Sequence, residues 1–147
     1  MHMISYRQYV PSDREAVYSI SKKSNLEGYD IAELDELYED WPEGQLVACD
    51  SETVIGFLSG KIHDASRTRV YMFAVLPDYR SKGIGQHLLD DFYQLTSKLG
   101  YPNVILEVRE TNIRAQVLYA RNGFVKIDEI RGLYVSGELA YRLEKVL

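Results

Sequence analysis

Apolar and polar positions change period several times along this chain, and each change marks an element. Ile4 to Val10 alternates and predicts a first strand, stopped by Pro11. Ala16, Val17 and Ile20 then recur at helical spacing to about Ser24. Ser12-Asp13-Arg14-Glu15 ahead of them reads as a capping box, with the serine oxygen on the helix end and Glu15 reaching back. Ile31, Leu34, Leu37 and Tyr38 predict a short second helix ending near Trp41-Pro42. Gln45 to Cys49 and Val54 to Ile62 predict two strands joined by Asp50-Ser51-Glu52-Thr53. After a loop from His63 to Arg67, Thr68 to Val75 predicts a strand whose last five residues are buried.

The second half continues the alternation of types. Ile84, Leu88, Leu89, Phe92, Leu95 and Leu99 share one side of a helix that Gly100 stops. Val104 to Val108 predicts a buried strand, and Ile113 to Asn122 a helix stopped by Gly123. Phe124 to Ile130 and Glu138 to Glu144 predict the closing strands, with a loop at Gly132 to Gly137 between them. Repeats, linkers and low-complexity stretches are absent, so one domain over residues 1–147 is expected.

The join between strand and helix at residues 76–85 carries the first chemical signal. Leu76-Pro77 ends the strand, because proline cannot donate to a ladder. Arg80-Ser81-Lys82-Gly83-Ile84-Gly85 then opens straight into a helix. Glycines allow close backbone approach, and the first helical amides and the dipole face an anion. Arg80 and Lys82 add full charges. The plain alternative is a solvated turn. A P-loop is excluded because Gly83 is followed by Ile84-Gly85-Gln86, and a dinucleotide fingerprint because Leu88 stands where its third glycine belongs.

Glu107 is the second signal. It is the one charge in an otherwise apolar strand, so it needs either an ion pair or a role as a base. The segment from Asn25 to Glu43 is the third. It carries eight carboxylates and no lysine or arginine, which suits either a solvated face or a funnel for a cationic substrate.

Composition narrows the classes. With 46% hydrophobic and 27% charged residues, 147 residues make an ordinary globular domain. A net charge of −5 without a basic stripe disfavours nucleic acid. The apolar runs are too short to span a bilayer, and the N-terminus shows no apolar signal region. One cysteine, Cys49, allows no internal disulfide and fits a cytoplasmic location; no histidine is placed by sequence to activate it. His63 and His87 stand apart from any ligand spacing, so no metal is expected.

The string V-L-P-D-Y-R-S-K-G-I-G, Val75 to Gly85, resembles the acetyl-CoA loop of the GNAT acetyltransferase superfamily. L-E-V-R-E-T-N-I-R-A-Q-V-L-Y-A-R-N-G-F, Leu106 to Phe124, resembles its second signature. Within the superfamily, the chain is most similar to protein N-terminal acetyltransferases of the RimI and NatA-catalytic-subunit kind. The likeness is strong from Tyr71 to Tyr141 and diffuse before that.

The resemblance implies an α+β fold: a mostly antiparallel sheet of about seven strands, splayed in the middle, with about four helices. It implies acetyl-CoA as cofactor, held by Phe73, Ala74, Val75, Arg80, Ser81, Lys82, Gly83, Ile84, Gly85, Asn112 and Tyr119. Tyr119 would protonate the leaving thiolate, and Glu107 would be the general base, with Glu27 or a water as the alternatives. A backbone N–H near Val75 would face the oxyanion. Glu27, Tyr29 and Tyr134 would border the acceptor. The acceptor implied is a peptide or protein N-terminus, whose α-amine (pKa about 7.7–8.0) needs less help than a lysine near about 10.4. Small-molecule amines and protein lysines remain the alternatives. No nucleic acid or membrane partner is expected, and the enzyme would act as a monomer or homodimer, with or without an auxiliary subunit.

Overall fold

The computed structural model describes residues 2–24 and 30–147. Among them are seven strands and four α-helices, a mostly antiparallel α+β arrangement. The chain packs as two compact units, residues 1–61 with 70–95, and residues 62–69 with 96–147. No helix among the described residues is long and apolar enough to cross a membrane.

The first unit holds β1 (Ile4–Gln8), α1 (Arg14–Lys23), α2 (Ile31–Asp40), β2 (Gln45–Asp50), β3 (Thr53–Ile62) up to residue 61, and residues 70–75 of β4 (Arg67–Val75). It also holds most of α3 (Ile84–Lys98). β1 and β2 pair antiparallel with Tyr6 opposite Ala48; β2 and β3 pair with Val47 opposite Phe57. β3 is buried over seven consecutive residues, Val54 to Gly60, which explains its unbroken apolar pattern. Gly60 is required there: a Cβ would stand 2.4 Å from the Phe92 ring of α3. The core gathers Tyr9, Val17, Ile20, Leu34, Leu37, Val47, Phe57 and Ala74.

Two helix starts differ in kind. Asp30 caps α2 as its side chain accepts from Glu33 N at 2.9 Å. The expected Ser12 box at α1 does not form. Residues 11–13 make a single 3-10 turn, and Asp13, not Ser12, precedes α1. The Asp13 carboxylate accepts Val10 N at 2.9 Å and both Arg7 guanidinium nitrogens at 2.7 and 2.9 Å. A carboxylate takes an amide and a charged fork together, which a serine hydroxyl cannot match. Arg7 in turn holds the Asp13 carboxyl below its ordinary range.

The second unit holds residues 67–69 of β4, the end of α3, β5 (Asn103–Arg109), α4 (Ile113–Arg121), β6 (Val125–Ile130) and β7 (Ala140–Val146). β5 pairs antiparallel with β7, and β7 with β6. Val104, Ile105, Leu106 and Val108 of β5 are buried with Ala140 and Leu143 of β7. The closing strand starts at Ala140 rather than Glu138, because the Glu138 carboxylate turns to Arg109 and Thr111. β6 is exposed along nearly its whole length, as befits an edge strand with a register shift between Lys126 and Asp128.

Both predicted glycine stops form the same motif. Gly100 (φ 90°) donates to Ser97 O at 3.0 Å while Tyr101 N reaches Thr96 O at 3.1 Å. Gly123 (φ 86°) donates to Ala120 O at 3.1 Å while Phe124 N reaches Tyr119 O at 3.0 Å. This crossed pair of bonds is the Schellman arrangement, and it needs a left-handed residue at the glycine.

Candidate active site

The candidate residues fall into two groups, one in each unit.

The first unit carries the basic loop. After a 3-10 turn at Pro77–Tyr79, Ser81 (φ 61°) and Gly83 (φ 80°) both take the left-handed conformation. Alternation of left-handed with ordinary residues turns successive amides toward one side, which makes a nest for an anion. Nothing lies within 4 Å of the point where a Cβ on Gly83 would stand. The helix begins immediately after it, with His87 N donating to Gly83 O at 3.0 Å, so its first turn opens directly from the loop. Lys82 and Ser81 are exposed, and Ile84 is buried as the hydrophobic anchor of the loop. Arg80 turns back and donates from Nε to Val75 O at 3.1 Å, tying the loop to the strand it leaves. Arg80 thus shapes the nest, while Lys82 is the cation left at its rim. Gly85 plays a different part from Gly83: its missing Cβ leaves room for the Phe73 ring, which would stand 3.1 Å away. Ala74 and Val75 are buried and Phe73 half-buried. The donor set fits a diphosphate.

In the same unit the Tyr71 hydroxyl donates to Glu33 of α2, and Lys61 Nζ lies over the Tyr71 ring, 4.7 Å from its centroid. Glu27 and Tyr29 lie outside the described residues.

The second unit carries the other group. Tyr119 is buried near the C-terminal end of α4. The Schellman motif at Gly123 brings Phe124 back onto it, ring centroids 5.6 Å apart and edge to face. Burial pushes the Tyr119 phenol well above its ordinary range, with Tyr134 adding to the effect. Asn112 is the N-cap of α4, its side-chain oxygen accepting Ala115 N at 3.1 Å. That cap uses the carbonyl end of the side chain and not its Nδ2 end. Gln116 steadies the turn before α4 by donating to Arg109 O at 3.1 Å and Glu110 O at 2.9 Å.

Glu107 has the ion-pair reading in full. Its side chain is 5% exposed, and it sits between two guanidiniums. Arg142 on β7 lies directly opposite in the ladder and donates from Nε to Oε2 at 2.9 Å. Arg69 on β4 pairs with Oε1 from the other flank. Tyr134 is half-buried with the Arg109 guanidinium 4.0 Å from its ring centroid. Burial raises the Tyr134 phenol against the opposing pull of Arg109. Arg109 is itself paired with Glu138 at 2.5 Å, which fixes the loop that carries Tyr134.

Arg69, Arg109 and Arg142 were not singled out by sequence reasoning. A signal existed for one of them: pairing the Val104–Val108 strand with the last strand in antiparallel register sets Arg142 across from Glu107. Arg69 has no local signal, since its strand is a neighbour only in the folded sheet.

The acetyltransferase (GNAT) family matches residues 14–124 of the chain. N-alpha-acetyltransferase 30 of Schizosaccharomyces pombe is 30% identical over 106 residues, 69% of this chain and 71% of that protein. Mycothiol acetyltransferase of Propionibacterium freudenreichii is 38% identical over 92 residues, 58% of this chain and 30% of that protein. The crystal structure of Ard1 from Thermoplasma volcanium superposes with a TM-score of 0.95 at 31% identity, covering 98% of this chain and 97% of that one.

Proposed function

The chain belongs to the GNAT acetyltransferase family, and from that premise we propose that it acetylates the α-amino group of a protein or peptide N-terminus. Acetyl-CoA is the acetyl donor, and when bound it supplies the acetyl group as a reactive thioester. The loop from Arg80 to Gly85 holds its pyrophosphate with backbone amides and Lys82. Phe73, Ala74 and Val75 line its arm.

The remaining roles belong to the second unit. Glu107 accepts the proton that the acceptor ammonium must lose before it can attack. Tyr119, kept protonated by burial, gives its proton to the departing sulfur. Tyr134 borders the acceptor. The nitrogen gains one bond to carbon and loses one proton; the sulfur loses that carbon and gains one proton. No covalent enzyme intermediate is needed, and Cys49 is buried with burial raising its thiol, so it is a poor nucleophile.

The observation that carries the choice of acceptor is likeness along the chain. The N-alpha-acetyltransferase relative is matched over 71% of its own length, the mycothiol enzyme over 30%. The latter likeness, higher in identity, favours a small-molecule amine as the second reading.

Free-thiol release from acetyl-CoA separates the two. The acceptors are a Ser- or Ala-starting peptide, and the same peptide with its α-amine blocked and an internal lysine kept. Release with the free N-terminus alone supports the proposal. Equal release with both points to lysine. Release with neither, but with a small amine such as spermidine, overturns the peptide reading.

A further inference from the structure

The loop that carries Tyr134 has little backbone framework of its own. The β6–β7 ladder closes at Ile130 opposite Ala140, and residues 131–139 between them form neither helix nor strand. Gly132 and Gly137 stand at φ 81° and 83°, and Gly137 N donates to Tyr134 O at 3.1 Å in a turn inside the loop. Side chains from the end of β5 and the turn after it therefore do much to decide where the loop lies. The Glu138 carboxylate meets two of them: Oε2 pairs with Arg109 Nη1 at 2.5 Å, and Oε1 accepts the Thr111 hydroxyl. The Ser136 hydroxyl donates to the same Oε2 at 3.1 Å and accepts Glu138 N at 3.3 Å. Beside them Leu139 N donates to the Glu110 carboxylate at 3.2 Å, and Glu110 N donates to Leu139 O at 2.9 Å.

Arg109 serves two neighbours at once. Its guanidinium carbon lies 4.0 Å from the Tyr134 ring centroid, and its Nη1 edge is the one on Glu138. A planar guanidinium can offer a face to a ring and an edge to a carboxylate together, which an ammonium cannot. Glu138 thereby helps to fix where Arg109 lies, and Arg109 where the Tyr134 ring lies. The link stays charged at assay pH, since the Thr111 hydroxyl and then Arg109 hold the Glu138 carboxyl below its usual range. Every member of this chain of contacts belongs to the second unit.

We propose that Glu138 and Thr111 are positioning residues for the acceptor: they hold Arg109 against the Tyr134 ring and so set that tyrosine where it meets the acceptor. The inference rests on the proposed placement of Tyr134 beside the acceptor, and not on which amine is acetylated. A loop held in one place costs the acceptor less to bind than one the acceptor must order itself. Loosening the Glu138 link returns that ordering cost to the binding step. It raises KM and leaves kcat nearly untouched, the mark of an interaction that serves the bound acceptor and the transition state alike.

The test is a double-mutant cycle on acetyl transfer to the peptide, with Glu138→Gln, Tyr134→Ala and the two together. Thr111→Val, alone and with Tyr134→Ala, is a second route to the same carboxylate. Acceptor KM, kcat, coenzyme A affinity and a thermal melt are measured for each variant. Glutamine can still accept the Thr111 hydroxyl but offers Arg109 no charge. Glu138→Gln is expected to raise KM about 3–10-fold, with kcat and coenzyme A affinity within about twofold, a modest effect because the pair is one-quarter exposed. Thr111→Val raises KM about 2–4-fold. Tyr134→Ala raises it at least as far as Glu138→Gln does. Adding either second change to Tyr134→Ala then moves KM by less than about 1.5-fold, because the residue through which they act is gone. A merely structural carboxylate gives KM factors that multiply in the double variant, or lowers kcat, coenzyme A affinity and the melt together; either result overturns the proposal. So does an unmoved KM in both Glu138→Gln and Thr111→Val. If Glu138→Gln does not fold, the cycle of Thr111→Val with Tyr134→Ala decides in its place. Failure of the acceptor reading looks different, since the unaltered enzyme then leaves peptide N-termini untouched. The same cycle is then run on the small amine or lysine it does acetylate, and the same two patterns decide.

Discussion

Tyr119 and Phe124 hold each other twice: their rings meet edge to face at 5.6 Å, and Phe124 N donates to Tyr119 O at 3.0 Å. The backbone bond closes α4, and the ring contact fixes where the phenol points. Tyr119→Phe keeps both relationships and deletes only the hydroxyl. Turnover is expected to fall about 10–100-fold, in the range of a lost general acid, with acetyl-CoA affinity changed less than about twofold. Because burial raises the phenol well above its ordinary range, the group stays protonated throughout assay pH. The unaltered enzyme should therefore show no loss of kcat from this group up to about pH 10. A basic limb near pH 8 that disappears in Tyr119→Phe would sink the assignment.

Gly83 sits at φ 80° with open space where a side chain would go. Gly83→Val consequently meets no steric wall inside the protein, only backbone strain of about 1–2 kcal/mol. The loop relaxes away from its left-handed turn and the nest opens. Acetyl-CoA affinity is expected to drop at least about tenfold while the melting temperature falls by only a few degrees. Isothermal titration with coenzyme A measures the first quantity. Unchanged affinity would remove the loop from the cofactor site.

Thr68 and Thr96 share a hydrogen bond at 2.9 Å with both side chains fully buried in the second unit. Either threonine replaced by valine leaves the other hydroxyl buried without its partner, at a cost of about 1–3 kcal/mol. The double valine variant removes both polar groups and should recover most of that loss. Urea unfolding of the three variants checks it. Simple additivity of the two single losses contradicts the account.

Asp13 accepts the Val10 amide and the Arg7 fork, and Arg7 is the main reason that its carboxyl titrates below its ordinary range. A carboxyl lowered in the folded state stabilises the protein above its unfolded pKa, near about 3.9, and that contribution disappears as pH falls through the lower folded value. Asp13→Asn can still accept the amide but loses the charge. The variant should be about 1 kcal/mol less stable at pH 6, a modest figure because Arg7 is partly in water. The gap between the two proteins should start to narrow below about pH 4. A gap that does not narrow as pH falls below about 4 would contradict the linkage.

Local chemistry settled much of this protein in advance. Periods of two and 3.6 placed each strand and helix within a few residues, because each element buries one face or both against the core. The glycine stops at Gly100 and Gly123 were legible because a left-handed residue at a helix end is a backbone requirement that few other residues meet. The nest at residues 80–85 was legible for the same reason: its conformation is dictated by neighbours in sequence. The start of α1 was misread because Arg7, six residues before Asp13, comes to it only when the first strand is in place. The environment of Glu107 belonged wholly to the fold. Sequence marked it as a carboxylate in need of a partner, and the β5–β7 register delivered Arg142 from 35 residues away while β4 delivered Arg69. Propensity and capping act over a turn or a single strand, so the sequence displays them. Charge pairing acts through space, across strands far apart in the chain, and only the folded sheet brings those charges together.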